Sequence, residues 1–163
     1  AGTSASTVSP TGVCTRAQLV SILYRMQGEP TTVKGYELSK LRAPFNDVPR
    51  GQWYTDAIWW AKLTDVVAGT SATTFEPETK LSRAMIVEIL YALEGEPAVT
   101  GKNPFSDVAD NEWYTNAVIW AAQNEIVAGI GDGKFDPNGD ATREQTATIL
   151  QGLPEGFKEG RVR

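Results

Sequence analysis

The sequence predicts an all-α protein built as a helical-repeat array, and three observations carry that prediction. The chain repeats itself: FNDVPRGQWY at 45–54 returns as FSDVADNEWY at 105–114, and FEP at 75–77 returns as FDP at 135–137, sixty residues later in each case. Self-similarity at a fixed period marks a repeat architecture. Within each copy the apolar residues recur at helical spacing, not strand spacing. The stretches between them are rich in Gly, Pro, Thr and Asp, which cannot continue a helix.

Taken in order, residues 1–9 (AGTSASTVS) are small and polar and read as an extended lead-in. A partial copy follows, because CTRAQ at 14–18 aligns with LSRAM at 81–85 and ATREQ at 141–145, and GEP at 28–30 with GEP at 95–97. This copy lacks its front half, so the array counts two and a half repeats. The expected boundaries are a partial repeat over 1–30 (loop and second helix only), a second repeat with its linker over 31–97, a third over 98–154, and a tail over 155–163 that fits no repeat position.

The first helix of each complete copy begins near W-Y. Tyr54, Ala57, Ile58 and Ala61 fall at i, i+3, i+4 and i+7, as do Tyr114, Ala117, Val118 and Ala121, which makes one apolar stripe. Trp60 and Trp120 lie inside this helix and read as packing. Gly69 and Gly129 are the expected C-terminal stops. The second helix begins at [ST]-R. Thr15 with Gln18 and Thr142 with Gln145 fit a capping box, while Ser82 can cap but Met85 breaks the box. The stripes are Leu19, Ile22, Leu23, Met26, then Ile86, Ile89, Leu90, Leu93, then Thr146, Ile149, Leu150, Leu153, with G-E-P closing the first two helices. The linker over 31–44 is longer than that over 98–104 by seven residues. Such repeats cannot bury their stripes alone, and the second helices meet most economically as a central bundle.

Composition narrows the function. The net charge is −5 with a pI near 4.8 and no block of Lys or Arg, which argues against nucleic acid as partner. No apolar run approaches the roughly 18 residues of a membrane span, so no membrane insertion is expected. No charged-then-apolar leader is present, so a secretion signal is expected to be cleaved or absent. Cys14 is the single cysteine and excludes an internal disulfide; it corresponds to Leu81 and Ala141 and reads as a small buried residue. The sequence has no histidine, which removes the commonest general base and metal ligand. Neither an enzyme nor a cofactor is expected. The loop DGKFDPNGD at 132–140 lacks the spacing and bidentate Glu of a calcium loop, so no metal is expected either.

The combined pattern F-x-D-V…W-Y…A-[IV]-x-W-A…[IV]-V-A-G…F-x-P…[ST]-R…[IL]-L…G-E-P resembles the surface-layer homology (SLH) repeat of bacterial cell-envelope proteins, over about residues 8–153. The resemblance implies a pseudo-threefold central helix bundle with loop-rich prongs. It implies non-covalent anchoring of a secreted protein to cell-wall polysaccharide, often a secondary wall polymer bearing ketal-pyruvylated amino sugars, at the cell surface, wall or S-layer of a bacterium. The T-R-A-E-like motif of that family supplies the binding arginine, which carries over to Arg16, Arg83 and Arg143. Departures are Met85, where an acidic or amide residue is usual, and the missing front of the first copy.

The residue chemistry agrees. A pyruvyl ketal is a carboxylate on a sugar, and a guanidinium fork in the first turn of a helix is expected to sit beside free N–H groups and the positive dipole end. A cation there is unfavourable for the helix itself, so its recurrence suggests a use beyond folding. Trp53 and Trp113, beside Tyr54 and Tyr114, offer faces for sugar stacking, or else they are core. Asp47 and Asp107 cap the turn before the first helix, or else touch ligand. The arginines have an alternative too: pairing with Asp47, Asp107 or a loop carboxylate to hold the repeats in register. A different class of function also fits the interrupted first copy, namely a self-assembling lattice or filament subunit in which a neighbouring chain completes the missing half-repeat.

Overall fold

The computed structural model describes residues 12–152. The lead-in over 1–9, Leu153 and the tail over 155–163 lie outside the described residues. The protein is mostly helical, with α1 at Arg16–Met26, α2 at Thr55–Thr64, α3 at Arg83–Leu93, α4 at Thr115–Gln123 and α5 at Arg143–Gln151. One small element adds to the all-α expectation. The longer linker folds into an antiparallel hairpin, β1 (Thr32–Val33) and β2 (Tyr36–Glu37), with Thr32 opposite Glu37 and Val33 opposite Tyr36. Lys34 and Gly35 turn it with φ of 50° and 84°, the two positive angles a two-residue hairpin needs. A short 3-10 helix, Leu38–Lys40, follows, and both Val33 and Leu38 are buried. The seven extra residues therefore form a folded insertion that rests on α2.

Capping starts α1, α3 and α5. Thr15 and Thr142 each accept from the N–H three residues on, and Gln18 and Gln145 reciprocate. Ser82 does the same, and Met85 completes the box against expectation: its Sδ accepts the Ser82 N–H at 3.5 Å. Sulfur is a weak acceptor, so the box keeps its shape with one weaker bond. The G-E-P stops act as read, with Gly28 and Gly95 at φ 82° and 83°. The preceding tyrosines lock them, as Tyr24 and Tyr91 donate their hydroxyls to the Pro30 and Pro97 carbonyls at 2.7 Å. Burial, helped by Asp56 and Glu29, pushes the Tyr24 hydroxyl up to about 12, which keeps it a donor at neutral pH.

The expected stops of α2 and α4 are also corrected. Asp65 and Glu125, both at φ 57°, end those helices before the glycines. Gly69 and Gly129 serve a different need, since a Cβ on Gly69 would lie 2.6 Å from the Phe45 ring and one on Gly129 would lie 2.8 Å from the Phe105 ring.

Packing follows the stripes. α1 lies on α2 and α3 on α4, with Tyr24 tilted against Trp60 at 5.8 Å and Tyr91 against Trp120 at 5.4 Å. Both tryptophans are buried, as their place in the helix predicted. The segments just before α1, α3 and α5 are joined directly. The Cys14 N–H donates to the Ala141 carbonyl (2.9 Å), the Ala141 N–H to Leu81 (3.0 Å), and the Leu81 N–H to Cys14 (2.8 Å). Each position is fully buried, so Cys14 has the structural place assigned to it.

Candidate functional site

Two of the first-turn arginines, Arg16 and Arg83, reach out of their own copy and into the loop of the next. Arg16 Nε donates to the Phe75 carbonyl (2.9 Å) and Nη2 to Ala68 (2.8 Å), with the guanidinium 4.5 Å above the Phe75 ring. Arg83 repeats this on the following copy: Nε to Phe135 (2.8 Å), Nη2 to Ala128 (3.2 Å), and 4.7 Å above the Phe135 ring. The register-holding alternative is thus met, but through carbonyls and an aromatic face, not carboxylates. Burial lowers the pKa of Arg83, and Asp136 and Asp107 oppose that shift; a guanidinium starts so high that it stays charged.

The free N–H groups expected beside these arginines are already engaged. In α1 the Arg16 and Ala17 amides donate to Thr79 and Pro77, and in α3 the Arg83 and Ala84 amides donate to Gly139 and Pro137. Any anion recognised here is read by the guanidinium, with little help from the helix end.

Asp47 and Asp107 do not cap α2 and α4, whose N-cap residues Tyr54 and Tyr114 make no side-chain cap. Their carboxylates fix the F-x-P loops. Asp47 accepts from the Phe75 and Glu76 amides at 2.8 and 2.7 Å, and Asp107 from Phe135 and Asp136 at the same distances. Burial raises the Asp107 pKa, but the Phe135 and Asp136 amides, together with its own amide and the Lys134 charge, outweigh it and the net shift is downward. A depressed folded-state pKa gives stability that is present above the ordinary value of 3.8 and lost as pH falls through the folded value. Asp107→Asn is therefore expected to melt lower than the parent at neutral pH, with the gap closing below that window. Melts recorded in parallel across acidic pH check this, and a gap independent of pH refutes it.

Between α3 and α5 a groove of about 260 Å³ opens, lined by Arg83, Val127, Glu144, Gln145, Thr148 and Ile149. One guanidinium nitrogen of Arg83, Nη1, makes none of the bonds above. Glu144 puts an acid into the same groove, and Asp107 and Asp136 lie within electrostatic range of Arg83. Among the described residues no three His, Cys, Asp or Glu side chains gather to hold a metal.

The S-layer homology domain model matches residues 44–84 and 104–147, just over half of the chain. The chain belongs to the S-layer homology domain family. Among its relatives are an endoglucanase of Bacillus sp. (strain KSM-635), 35% identical over 106 residues and 65% of this chain, and a cell surface protein of Thermoanaerobacter kivui, 29% identical over 122 residues and 71% of this chain. A third is a surface-layer 125 kDa protein of Lysinibacillus sphaericus, 30% identical over 113 residues and 65% of this chain. These relatives are far longer, and the matches span 11%, 16% and 9% of their lengths.

Both SLH matches run from the F-x-D-V segment through the [ST]-R start of a second helix, so each contains one Asp–loop–Arg assembly: Asp47 with Arg83, and Asp107 with Arg143. The contacts pair them differently, because Arg83 acts on the loop that Asp107 holds. Arg143 is half-buried, and its amide donates to the Gly12 carbonyl at 2.9 Å. Trp53 and Trp113 are not core: they are 45% and 59% exposed, each edge-on to its neighbouring tyrosine. Neither lines the Arg83 groove. Sequence reasoning missed the phenylalanines beneath the Arg16 and Arg83 guanidinium groups, although F-x-P was visible in both copies. It also missed Glu144 and Thr148, one helical turn apart on the groove face of α5.

Proposed function

We propose that this SLH chain anchors a surface protein non-covalently to the bacterial cell envelope by binding an acidic, ketal-pyruvylated wall polysaccharide. The groove at Arg83 carries the reading: a guanidinium held rigidly on an aromatic ring, with one nitrogen left for a carboxylate. Arg16 and Arg143 are its proposed counterparts, in a pseudo-threefold arrangement of α1, α3 and α5. Asp47 and Asp107 act by fixing the loops. Trp53 and Trp113, exposed beside them, are proposed to stack on sugars further along the glycan. A preformed charge-assisted contact gives orientation at little entropic cost. The chain is read as a binding module without catalytic residues, cofactor or metal, and its place is the cell surface.

The test leaves the protein untouched. Purified wall polysaccharide is titrated before and after mild acid removal of its ketal groups. Affinity is expected to fall at least tenfold on removal, and equal affinity would sink the acidic-ketal reading. Unchanged binding by Arg16→Ala, Arg83→Ala and Arg143→Ala alike would remove the arginines from it.

One observation favours a second reading, assembly between copies of the chain. An apolar groove of about 400 Å³ lies between α1 and α5, lined by Ile22, Met26, Ala147 and Leu150. An amphipathic helix from a neighbouring chain is proposed to cover this face. Light scattering without glycan decides it, because a monomer at micromolar concentration rules assembly out.

A further inference from the structure

The two complete copies differ on the outer side of their first helices. In the second copy Trp59 Nε1 donates to the Arg42 carbonyl at 2.6 Å, and Lys62 Nζ donates to the Pro44 carbonyl at 2.7 Å while lying 4.5 Å from the Phe45 ring. These two side chains cover the segment that leads into α2. Sixty residues on, Ile119 stands in place of Trp59 and Ala122 in place of Lys62. Neither can reach as far, and a cleft of about 610 Å³ opens between α4 and the segment before it. That volume is within the range of small-molecule sites.

Its walls divide by chemistry. Ile119 and Val108, both nearly buried, show only small apolar edges at its base, beside the half-buried Phe105. Asn103 and Thr115 are framework. The Asn103 amide donates to the Val108 carbonyl and accepts from the Phe105 N–H at 2.9 Å. The Thr115 hydroxyl donates to Ala109 and accepts from the Glu112 N–H. The rim is different. Lys102, Asp110 and Asn116 are all exposed, and Asp110 receives only a long 3.4 Å contact from Asn103. The side chains of Lys102 and Asn116 make no hydrogen bond or ion pair to another described residue.

One cation and one carboxylate cancel across this rim, so the cleft offers an acidic unit no net attraction. What it offers is a donor (Lys102), an acceptor (Asp110) and a group that is both (Asn116), ranged above these apolar edges. A pyranose ring has the complementary form, with C–H groups on one face and hydroxyls around its edge. A peptide backbone would need its donors and acceptors met in a regular ladder, which three scattered side chains do not provide. We propose that this cleft is a second saccharide subsite, taking a neutral sugar unit. The proposal rests on the reading of the chain as a glycan-binding module, but not on the arginine groove.

Isotope-labelled protein is titrated with N-acetylglucosamine and, separately, with glucose, and the backbone amide shifts are followed. Saturable shifts at Lys102, Asn116 and Ile119 are expected with at least one sugar, while Val127 and Thr148 in the Arg83 groove stay still. Ile119→Trp restores the cover used in the second copy, on a framework that already accommodates tryptophan, and is expected to abolish the shifts. Asn116→Ala is expected to weaken binding about fivefold. No saturable shift with either sugar, or shifts that survive Ile119→Trp, would overturn the proposal. Such a failure alongside intact polysaccharide binding condemns the cleft alone, whereas sugar binding that persists after the polysaccharide reading has failed upholds it.

Discussion

Arg83→Ala is expected to lower the melting temperature by roughly 6–12 °C with no glycan present. The side chain is 7% exposed and donates to two carbonyls of the neighbouring copy's loop while stacking on Phe135. Hydrogen bonds to a charged group contribute about 1.5–3 kcal/mol each, and truncation leaves both carbonyls unpartnered, so a loss of about 3 kcal/mol is reasonable. For a chain of this size each kcal/mol moves the midpoint by roughly 2–4 °C. Arg83→Lys keeps the charge, but its single ammonium cannot span both carbonyls and stack as well, so an intermediate melt is expected. An arginine that served ligand alone would leave the glycan-free melt unmoved. A midpoint for Arg83→Ala equal to the parent's would remove the loop-holding role. The melt also guards the binding experiment, because affinity lost by a variant that unfolds says nothing about the groove.

Gly69→Ala is expected to destabilise by about 3 kcal/mol, at the upper end of overpacking effects. The added Cβ would lie 2.6 Å from both the Phe45 ring and the Thr74 carbonyl and 2.8 Å from the Ser71 carbonyl, and two of these neighbours are backbone. Gly129→Ala should behave alike, meeting the Lys134 carbonyl at 2.6 Å and the Phe105 ring at 2.8 Å. Gly51 supplies the control. It sits at φ 85° with nothing within 4 Å, so alanine there suffers only backbone strain, about 1 kcal/mol. Urea midpoints for the three variants separate the two causes. If Gly51→Ala proves as damaging as Gly69→Ala, close approach is not the reason for these glycines.

The helices were legible in the sequence because their signals are local. A capping hydroxyl, an i, i+3, i+4 stripe and a G-E-P stop each act within one or two turns. The hairpin at 32–37 was missed because two-residue strands give no alternation to read, although Lys34–Gly35 was a turn signal. Gly69 and Gly129 were assigned to helix ends because sequence shows that a glycine is needed and not why; the Phe45 and Phe105 rings that crowd them come from more than twenty residues away. The arginines were found as a recurring oddity, but their partners lie 45 to 59 residues along the chain, beyond any local rule. Trp53 and Trp113 stay undecided in the sequence between a sugar face and core, because the T-shaped contact with a buried tyrosine that accompanies their surface position is not a local pattern.

The three backbone bonds linking Cys14, Leu81 and Ala141 form a loop that returns to its start. An open solenoid can gain or lose a unit at either end and can melt from that end inward. A closed circuit has no end. Its last link joins positions 14 and 141, so it can form only when nearly the whole described chain is in place. Folding should therefore be slow for so helical a protein, and unfolding should be all-or-none, not stepwise. Deleting any one of the three segments opens the circuit. Variation in such a module is confined to exchanging what each unit presents on its outside, which is where the second and third copies have diverged.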